Sequence, residues 1–501
     1  MMLAKVNSGA NLGLDGRLVE VECDLANGLP AFTVVGLGDK AVDEAKERVR
    51  GALKNNQLVL PPKRITLNLA PADLPKDGTA YDLPMAVGLL AASGQVESQA
   101  LQDSLFVGEL ALDGSLRPIR GALTYTRLAL NNKINKLFLP IDNAKEASLI
   151  EGVKIYGVKD LQQIYRHLIG EEPMPVSVKS QENKTIDVFS ATELATVYGQ
   201  PMAKRALEIA AAGGHNLLMS GPPGVGKTLL AKALPGILPP PSLKEKIEIT
   251  QLHSLAGLNS GGIVNFRPFR SPHHTSSDIA LIGGGRSPKP GEISLSHRGV
   301  LFLDELPEFP RQVLEVLRQP IEDGQVTISR ATGTLTFPAK FMLVATQNPC
   351  PCGYYGDQLR DCTCSPANIN TYKRRVSGPL LDRIDLTVEV ARVDRQALLN
   401  SEPSESSEVV RSRVLNARQR QAGRSQVDLT NAELSPEQIK QHCQLEPAAK
   451  LIAQEALGRL NLSARGYMRT LKVARTIADL EQSDKISDAH LAEALQYRIR
   501  A

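Results

Sequence analysis

Two short stretches carry the residue types that phosphate-bond chemistry needs. Gly221-Pro222-Pro223-Gly224-Val225-Gly226-Lys227-Thr228 follows an apolar run, Asn216-Leu217-Leu218-Met219, that reads as a buried strand. It leads into Leu229-Leu230-Ala231-Lys232-Ala233-Leu234, which reads as a helix. Strand, glycine loop and helix in that order are the context of a P-loop. The glycines let consecutive backbone N–H groups turn inward around phosphate oxygens, and the helix adds its unpaired amides and the positive end of its dipole. Lys227 then reaches the β- and γ-phosphates of ATP, and the Thr228 hydroxyl ligates Mg²⁺. A plain Gly/Pro-rich turn is the bland alternative, and the full spacing argues against it. Farther on, Val300-Leu301-Phe302-Leu303 ends in Asp304-Glu305. Asp304 suits holding Mg²⁺ through water, and Glu305 suits polarising the attacking water.

These groups need an apolar framework behind them. Phe341-Met342-Leu343-Val344-Ala345-Thr346-Gln347 reads as a further buried strand and closes on Asn348, an amide that can orient the lytic water without adding charge. The 501 residues allow about three domains at ~150 residues each. No apolar run approaches the ~20 residues of a membrane span, and Met1 to Gly9 lacks the apolar core of a signal peptide, so a cytoplasmic chain without a membrane partner is expected. The formal net charge of +4 is too small to demand a polyanionic partner and leaves any nucleic-acid binding to local clusters.

Residues 1–172 alternate short apolar strands (Val19-Glu20-Val21, Phe32 to Val35, Arg64 to Leu69) with helical patterns such as Ala41 to Leu53, which predicts a compact α/β domain. Periodicity fades over 173–188, where Pro173, Pro175, Ser177, Ser180 and Asn183 predict a linker. The P-loop domain is expected over 189–392 and a polar, helical region over 393–501. Within the latter, Arg411 to Arg424 holds five arginines and no acid, which reads as a solvated face or subunit contact rather than a DNA groove.

The P-loop region resembles AAA+ ATPases. That resemblance implies that Tyr198-Gly199-Gln200 lies against the adenine ring, although a turn and cap before the helix Ala203 to Ala212 explains these residues equally well. It makes Asn348 the counterpart of sensor 1. Gly378-Pro379-Leu380-Leu381-Asp382-Arg383-Ile384-Asp385 resembles the arginine-finger segment of the magnesium-chelatase and MCM branch, so Arg383 would serve the neighbouring subunit's γ-phosphate. The alternative is an Arg383 paired locally with Asp382 or Asp385. Ser463-Ala464-Arg465-Gly466, ahead of an amphipathic helix, matches sensor 2 of the AAA+ lid at Arg465, with Arg469 one turn on as the fallback.

Two insertions and a cysteine cluster complete the pattern. Between Thr228 and Asp304 lie 75 residues, with a glycine-rich surplus from Leu255 to Arg298 that reads as a mobile functional loop. Gln325 to Phe337 alternates like a hairpin with a turn near Gly333. In the chelatase/MCM branch these insertions face a central channel, which makes Arg286, Lys289 and Arg330 candidates for DNA phosphates; covering a subunit interface is the other reading. His273-His274 suggests packing or hydrogen bonding more than metal, since adjacent histidines diverge in extended chain. Cys350-Pro351-Cys352 and Cys362-Thr363-Cys364 form two knuckles whose thiolates suit tetrahedral Zn²⁺, with reduced structural thiols as the alternative.

The N-terminal domain resembles the proteolytic domain of Lon proteases in Pro75-Lys76-Asp77-Gly78 and from Gly108-Glu109-Leu110 to Pro118-Ile119, which implies a fold of the ribosomal S5 domain 2 type. Ala80 and Leu123 stand where that family has its serine and lysine, so proteolysis is not expected. Over nearly its whole length the chain is similar to the ComM/YifB family of magnesium-chelatase-like AAA+ ATPases. The resemblance implies a homo-hexamer that binds single- and double-stranded DNA, works beside recombination proteins and drives branch migration during natural transformation. A chelatase-type motor subunit acting on a protein partner is the alternative, and would be expected to lack the N-terminal domain and the cysteine knuckles.

Overall fold

The computed structural model describes residues 2–36, 40–74, 76, 78–177, 191–259, 262–285, 288–330, 333–357, 359–392, 405–425, 429–459 and 462–498. Arg286 and most of the expected linker lie outside the described residues, as do Pro75 and Asp77 of the Lon-like segment.

The N-terminal region is built on a seven-stranded sheet in the order 31–35, 64–70, 15–26, 2–12, 104–106, 136–140, 154–158. Strand 15–26 alternates as a one-sided strand should: Val19, Val21, Cys23 and Leu25 are buried between more exposed neighbours. Helix Asp82–Ala92 is buried along its entire length. At its first turn the Asp82 carboxylate accepts from Arg48 at 2.6 and 3.0 Å and from the Leu110 N–H at 3.1 Å. Burial nevertheless pushes that carboxyl up to about 6. Ala80 and Leu123 are both buried, and neither side chain can act as nucleophile or base.

The second sheet has five parallel strands in the order 269–270, 300–303, 342–347, 217–220, 386–389. Its strands are near-continuous apolar runs because both faces are covered. Phe269–Arg270 enters this sheet from the glycine-rich surplus, so part of that stretch is core rather than mobile loop. Arg267 anchors it, donating to both Glu245 oxygens at 3.1 and 2.9 Å and to the carbonyls of Pro239 and Arg298 at 2.6 and 2.7 Å.

The C-terminal helices share one apolar core with the sheet and helices Pro201–Gly213 and Lys227–Ile237. The arginines of helix Ser407–Ser425 are half-buried and paired rather than standing free on a solvated face. Arg411 donates to the Gly236 carbonyl, Arg413 pairs with Glu208 and Glu405, and Arg418 donates twice to the Ala211 carbonyl. Arg420 pairs with Asp484, and Arg424 takes both oxygens of Asp479. Sequence spacing could not reveal this because the acceptors lie far away in the chain, many of them main-chain carbonyls.

The two sheets' domains meet where helix Ala122–Asn131 touches helix Leu243–Ala256. The Gly121 N–H donates to the Ser254 hydroxyl at 2.9 Å, and Gln251 Nε2 donates to the Leu14 carbonyl at 2.8 Å and the Thr124 hydroxyl at 3.1 Å. Glu146 is fully buried beside this junction, and burial raises its carboxyl to about 7 against the opposing pull of the Ser254 hydroxyl and Leu123 N–H. A carboxyl that holds its proton more tightly when folded loses stability for the native state as pH rises from about 4 through about 7. Glu146→Gln should therefore stabilise the protein by about 2 kcal/mol at pH 8 and change little at pH 5, as read from denaturant unfolding at the two pH values.

Candidate nucleotide site and cysteine cluster

Strand 217–220 delivers Gly221, Pro222, Pro223, Gly224, Val225 and Gly226 to the carboxyl edge of the parallel sheet, and helix Lys227–Ile237 starts directly after them. Gly224 and Gly226 take φ of 79° and 93°, the left-handed region that a side chain would disfavour. A strand, a glycine turn and a helix start in this order are the arrangement whose main-chain N–H groups can cradle phosphate.

Lys227 is the focus. Its ammonium donates to the Gly221 carbonyl, to the Pro222 carbonyl at 2.9 Å and to Asn348 Oδ1 at 3.0 Å. Burial pulls it down to about 8, opposed by Asp304 and Glu305. A cation so desolvated gains from an incoming phosphate. Thr228 Oγ1 donates to Asp304 Oδ2 at 3.0 Å, so two oxygen ligands lie side by side. Such hard donors fit a Mg²⁺ ion that keeps most of its waters. Glu305 sits at φ 54°, ψ 55°, a left-handed backbone of the kind that collects at active sites and costs roughly 1–3 kcal/mol. Leu229, half exposed, occupies the first turn of the helix after Thr228.

One residue that the motif analysis did not single out completes this edge. The Thr346 hydroxyl, fully buried, donates to Asp304 Oδ1 and accepts the Glu305 N–H at 2.9 Å. Its signal was a hydroxyl inside an apolar strand, where a threonine gains nothing from burial unless it is bonded.

The turn Tyr198-Gly199-Gln200 is tied to the same edge. Gln200 donates to the Ala391 carbonyl, and the neighbouring Val390 N–H donates to the Ser220 carbonyl at 2.7 Å, directly before the P-loop. Tyr198 is 47% exposed there.

Arg383 and Arg465 lie at the other edge of the sheet. Asn216, the residue before strand 217–220, donates its Nδ2 to the Arg383 carbonyl at 2.9 Å and its main-chain N–H to Asp385 Oδ2 at 3.2 Å. Four residues of extended strand separate this point from Gly221, about 13 Å. The Arg383 guanidinium pairs with Glu322, not with Asp382 or Asp385, and Arg465 Nη2 lies 3.6 Å from the same Glu322 oxygen. Arg469 pairs with Asp382 at 3.4 Å and donates to the Ile384 carbonyl at 2.8 Å. These groups line a cavity of about 570 Å³ with Arg267, Lys340 and Lys472. Arg465 is thus brought to Arg383 rather than to the phosphate loop of its own chain.

Strands Gln325–Arg330 and Gly333–Pro338 form the expected hairpin, with Arg330 opposite Gly333. Lys289 is exposed on a short ladder against Gly283–Gly284, and the side chain of Arg330 lies outside the described part of the structure. The rings of His273 and His274 do not diverge but lie 4.1 Å apart, His273 Nδ1 sharing a hydrogen with Thr275 Oγ1 at 2.8 Å.

Cys350, Cys352, Cys362 and Cys364 converge, with all four sulfurs within 4.8 Å of one another. Cys350 Sγ lies 3.3 Å from Cys352 Sγ and 3.6 Å from Cys362 Sγ. Tetrahedral zinc with bonds of about 2.3 Å sets neighbouring sulfurs about 3.8 Å apart, so the cluster fits the ion. The Tyr355 N–H donates to Cys350 Sγ at 3.3 Å and the Cys364 N–H to Cys362 Sγ at 3.4 Å. The knuckle also touches the P-loop: a Cβ on Gly353, at φ 86°, would come 2.7 Å from Pro223 Cδ.

Residues 193–398 match the family described as magnesium chelatase, subunit ChlI; residues 21–143 match subunit ChlI of Mg-chelatase, and 404–498 match the C-terminal part of subunit ChlI. Competence protein ComM of Haemophilus influenzae is 47% identical over 504 residues, covering 99% of this chain and 98% of that protein. The uncharacterized protein YifB of Escherichia coli is 45% identical over 504 residues, covering 99% and 97%. Magnesium-chelatase subunit ChlI-2 of Arabidopsis thaliana is 25% identical over 225 residues, 44% of this chain and 48% of that protein. Such identity over nearly the full length, joined to this phosphate-loop geometry, makes the chain a member of the ComM/YifB family of magnesium-chelatase-like AAA+ proteins.

Proposed function

We propose that the chain is the subunit of a hexameric, ATP-driven motor that moves single- and double-stranded DNA and drives branch migration, serving integration of incoming strands in natural transformation and recombination. The observation that carries this reading is the division of the hydrolytic groups between the two edges of one sheet. Lys227, Thr228, Asp304, Glu305 and Asn348 occupy the carboxyl edge, and Arg383 and Arg465 the amino edge. A complete site then needs two copies in head-to-tail contact, which closes into a ring. The competence name of the Haemophilus relative supports the recombination setting.

Within one site, the P-loop amides and Lys227 would grip the triphosphate while Tyr198, Gly199 and Gln200 flank the base. Mg²⁺ held by Thr228 and Asp304 would neutralise charge on the β- and γ-oxygens. Asn348 would release Lys227 to the phosphate and orient the attacking water, Glu305 would take its proton, and Arg383 and Arg465 of the next subunit would stabilise the departing phosphoryl group. Arg286, Lys289 and Arg330, on the two insertions, would contact DNA phosphates in the channel. The four cysteines would hold one structural Zn²⁺ that braces Gly353 against Pro223, and the site would operate in the cytoplasm, where thiols stay reduced.

Four outcomes test this reading. Electron microscopy with an ATP analogue and forked DNA should show six subunits threaded on a strand, and ATPase should rise with DNA; a ring whose ATPase ignores DNA would leave the chelatase-type alternative, and a DNA-insensitive monomer would overturn both. Glu305→Gln should retain ATP binding and ring formation while lowering kcat at least 100-fold. Thr346→Val, which removes one hydroxyl and two hydrogen bonds, should lower kcat on the order of tenfold with little change in nucleotide affinity, since about 1.4 kcal/mol is a factor of ten. For the cysteines, elemental analysis should find one zinc per chain, lost in a Cys352→Ser, Cys362→Ser double variant together with several degrees of Tm.

A further inference from the structure

Glu322 stands at a junction that the hydrolytic reaction does not require. It lies on helix Arg318–Asp323, which ends at Gly324 and runs directly into Gln325–Arg330, the first strand of the hairpin. One oxygen of its carboxylate meets Arg383 Nη2, and Arg465 Nη2 stands 3.6 Å from that same oxygen. The two arginines come from separate elements, the turn after helix Gly378–Leu381 and the first turn of helix Ala464–Leu480.

The pairing is poised rather than locked. The Arg383 side chain is 11% exposed, and its Nε is buried without a partner, so its guanidinium has unused donor capacity. Glu322 is exposed, and Arg383 holds its carboxyl below the usual carboxylate range. A single carboxylate offers one negative charge to two guanidinium groups. A terminal phosphate offers about two charges and three oxygens in the geometry that arginine forks match, and its contacts are charge-assisted. The cavity behind these side chains, about 570 Å³, opens at the edge of the sheet away from the chain's own P-loop.

We propose that Glu322 is the positioning residue that couples the nucleotide of the neighbouring subunit to the hairpin. With no γ-phosphate in place, Glu322 holds Arg383 and Arg465 and thereby tethers helix 318–323 to the lid. An arriving γ-phosphate takes both arginines, Glu322 is released, and helix 318–323 and the hairpin joined to it are free to shift. Hydrolysis and phosphate loss restore the pair. The coupling rests on the ring-motor reading, and it adds a residue that touches neither nucleotide nor DNA.

The test compares wild type, Glu322→Gln and Glu322→Asp as full-length protein. In wild type, an ATP analogue should raise amide hydrogen exchange across 318–328 several-fold. Glu322→Gln should show the raised exchange without nucleotide, a several-fold higher DNA-free ATPase, and a several-fold loss of strand displacement per ATP consumed; Glu322→Asp should restore part of each. A purely structural Glu322 would lower all activities together without moving exchange in response to nucleotide, and that result, or wild-type coupling in Glu322→Gln, overturns the proposal. A wild-type protein indifferent to DNA would instead defeat the motor reading, and the coupling with it.

Discussion

Parallel pairing of strand 217–220 with 342–347 on one side and 386–389 on the other is the constraint from which the rest follows. Parallel strands all point the same way, so everything that follows a strand gathers at one edge and everything that precedes one gathers at the other. The P-loop, Asp304-Glu305 and Asn348 each follow a strand. Arg383 precedes one, and Asp385 fastens it to Asn216, which precedes another. Reach across the sheet, about 13 Å of backbone, separates the phosphate grip from the arginines.

That separation gives the burial of Lys227 its meaning. Its ammonium is withdrawn from water and, among the described residues, hydrogen-bonded to two carbonyls and the Asn348 amide. Neutral acceptors compensate a desolvated cation poorly, which favours any anion able to displace them. At the opposite edge the same logic runs in reverse: Arg383 and Arg465 are already offered a carboxylate, but a single shared one. One edge thus holds a buried ammonium hydrogen-bonded to neutral acceptors, and the other two guanidinium groups that share one carboxylate.

The additions to this framework are held by specific contacts rather than by length or composition. The cysteine knuckle emerges two residues after Asn348 and lies against Pro223, so its integrity bears on the shape of the glycine loop. The N-terminal domain meets helix Leu243–Ala256 through Gly121, Thr124 and Leu14, while the backbone at Gly13 packs near Leu335 and Phe337 of the hairpin. The N-terminal domain, in which Ala80 and Leu123 are buried, is therefore in direct contact with the domain that carries the phosphate loop.

Local pattern alone determined the phosphate loop, the carboxylate pair, the hairpin and the α/β character of both sheets, because each depends on side-chain period or on glycine at fixed spacing, properties that neighbouring residues set between them. The same pattern misread the arginines of Ser407–Ser425 as solvated and the stretch before Asp304 as wholly mobile, since a guanidinium looks identical in sequence whether it meets water or a distant carbonyl. Tertiary structure decided that Thr346 supports Asp304 and Glu305, that Arg465 joins Arg383 instead of its own P-loop, and that Glu322 links both to the hairpin. Those contacts join residues tens to hundreds of positions apart, and only the packing of the sheet and its helices brings them within hydrogen-bond range.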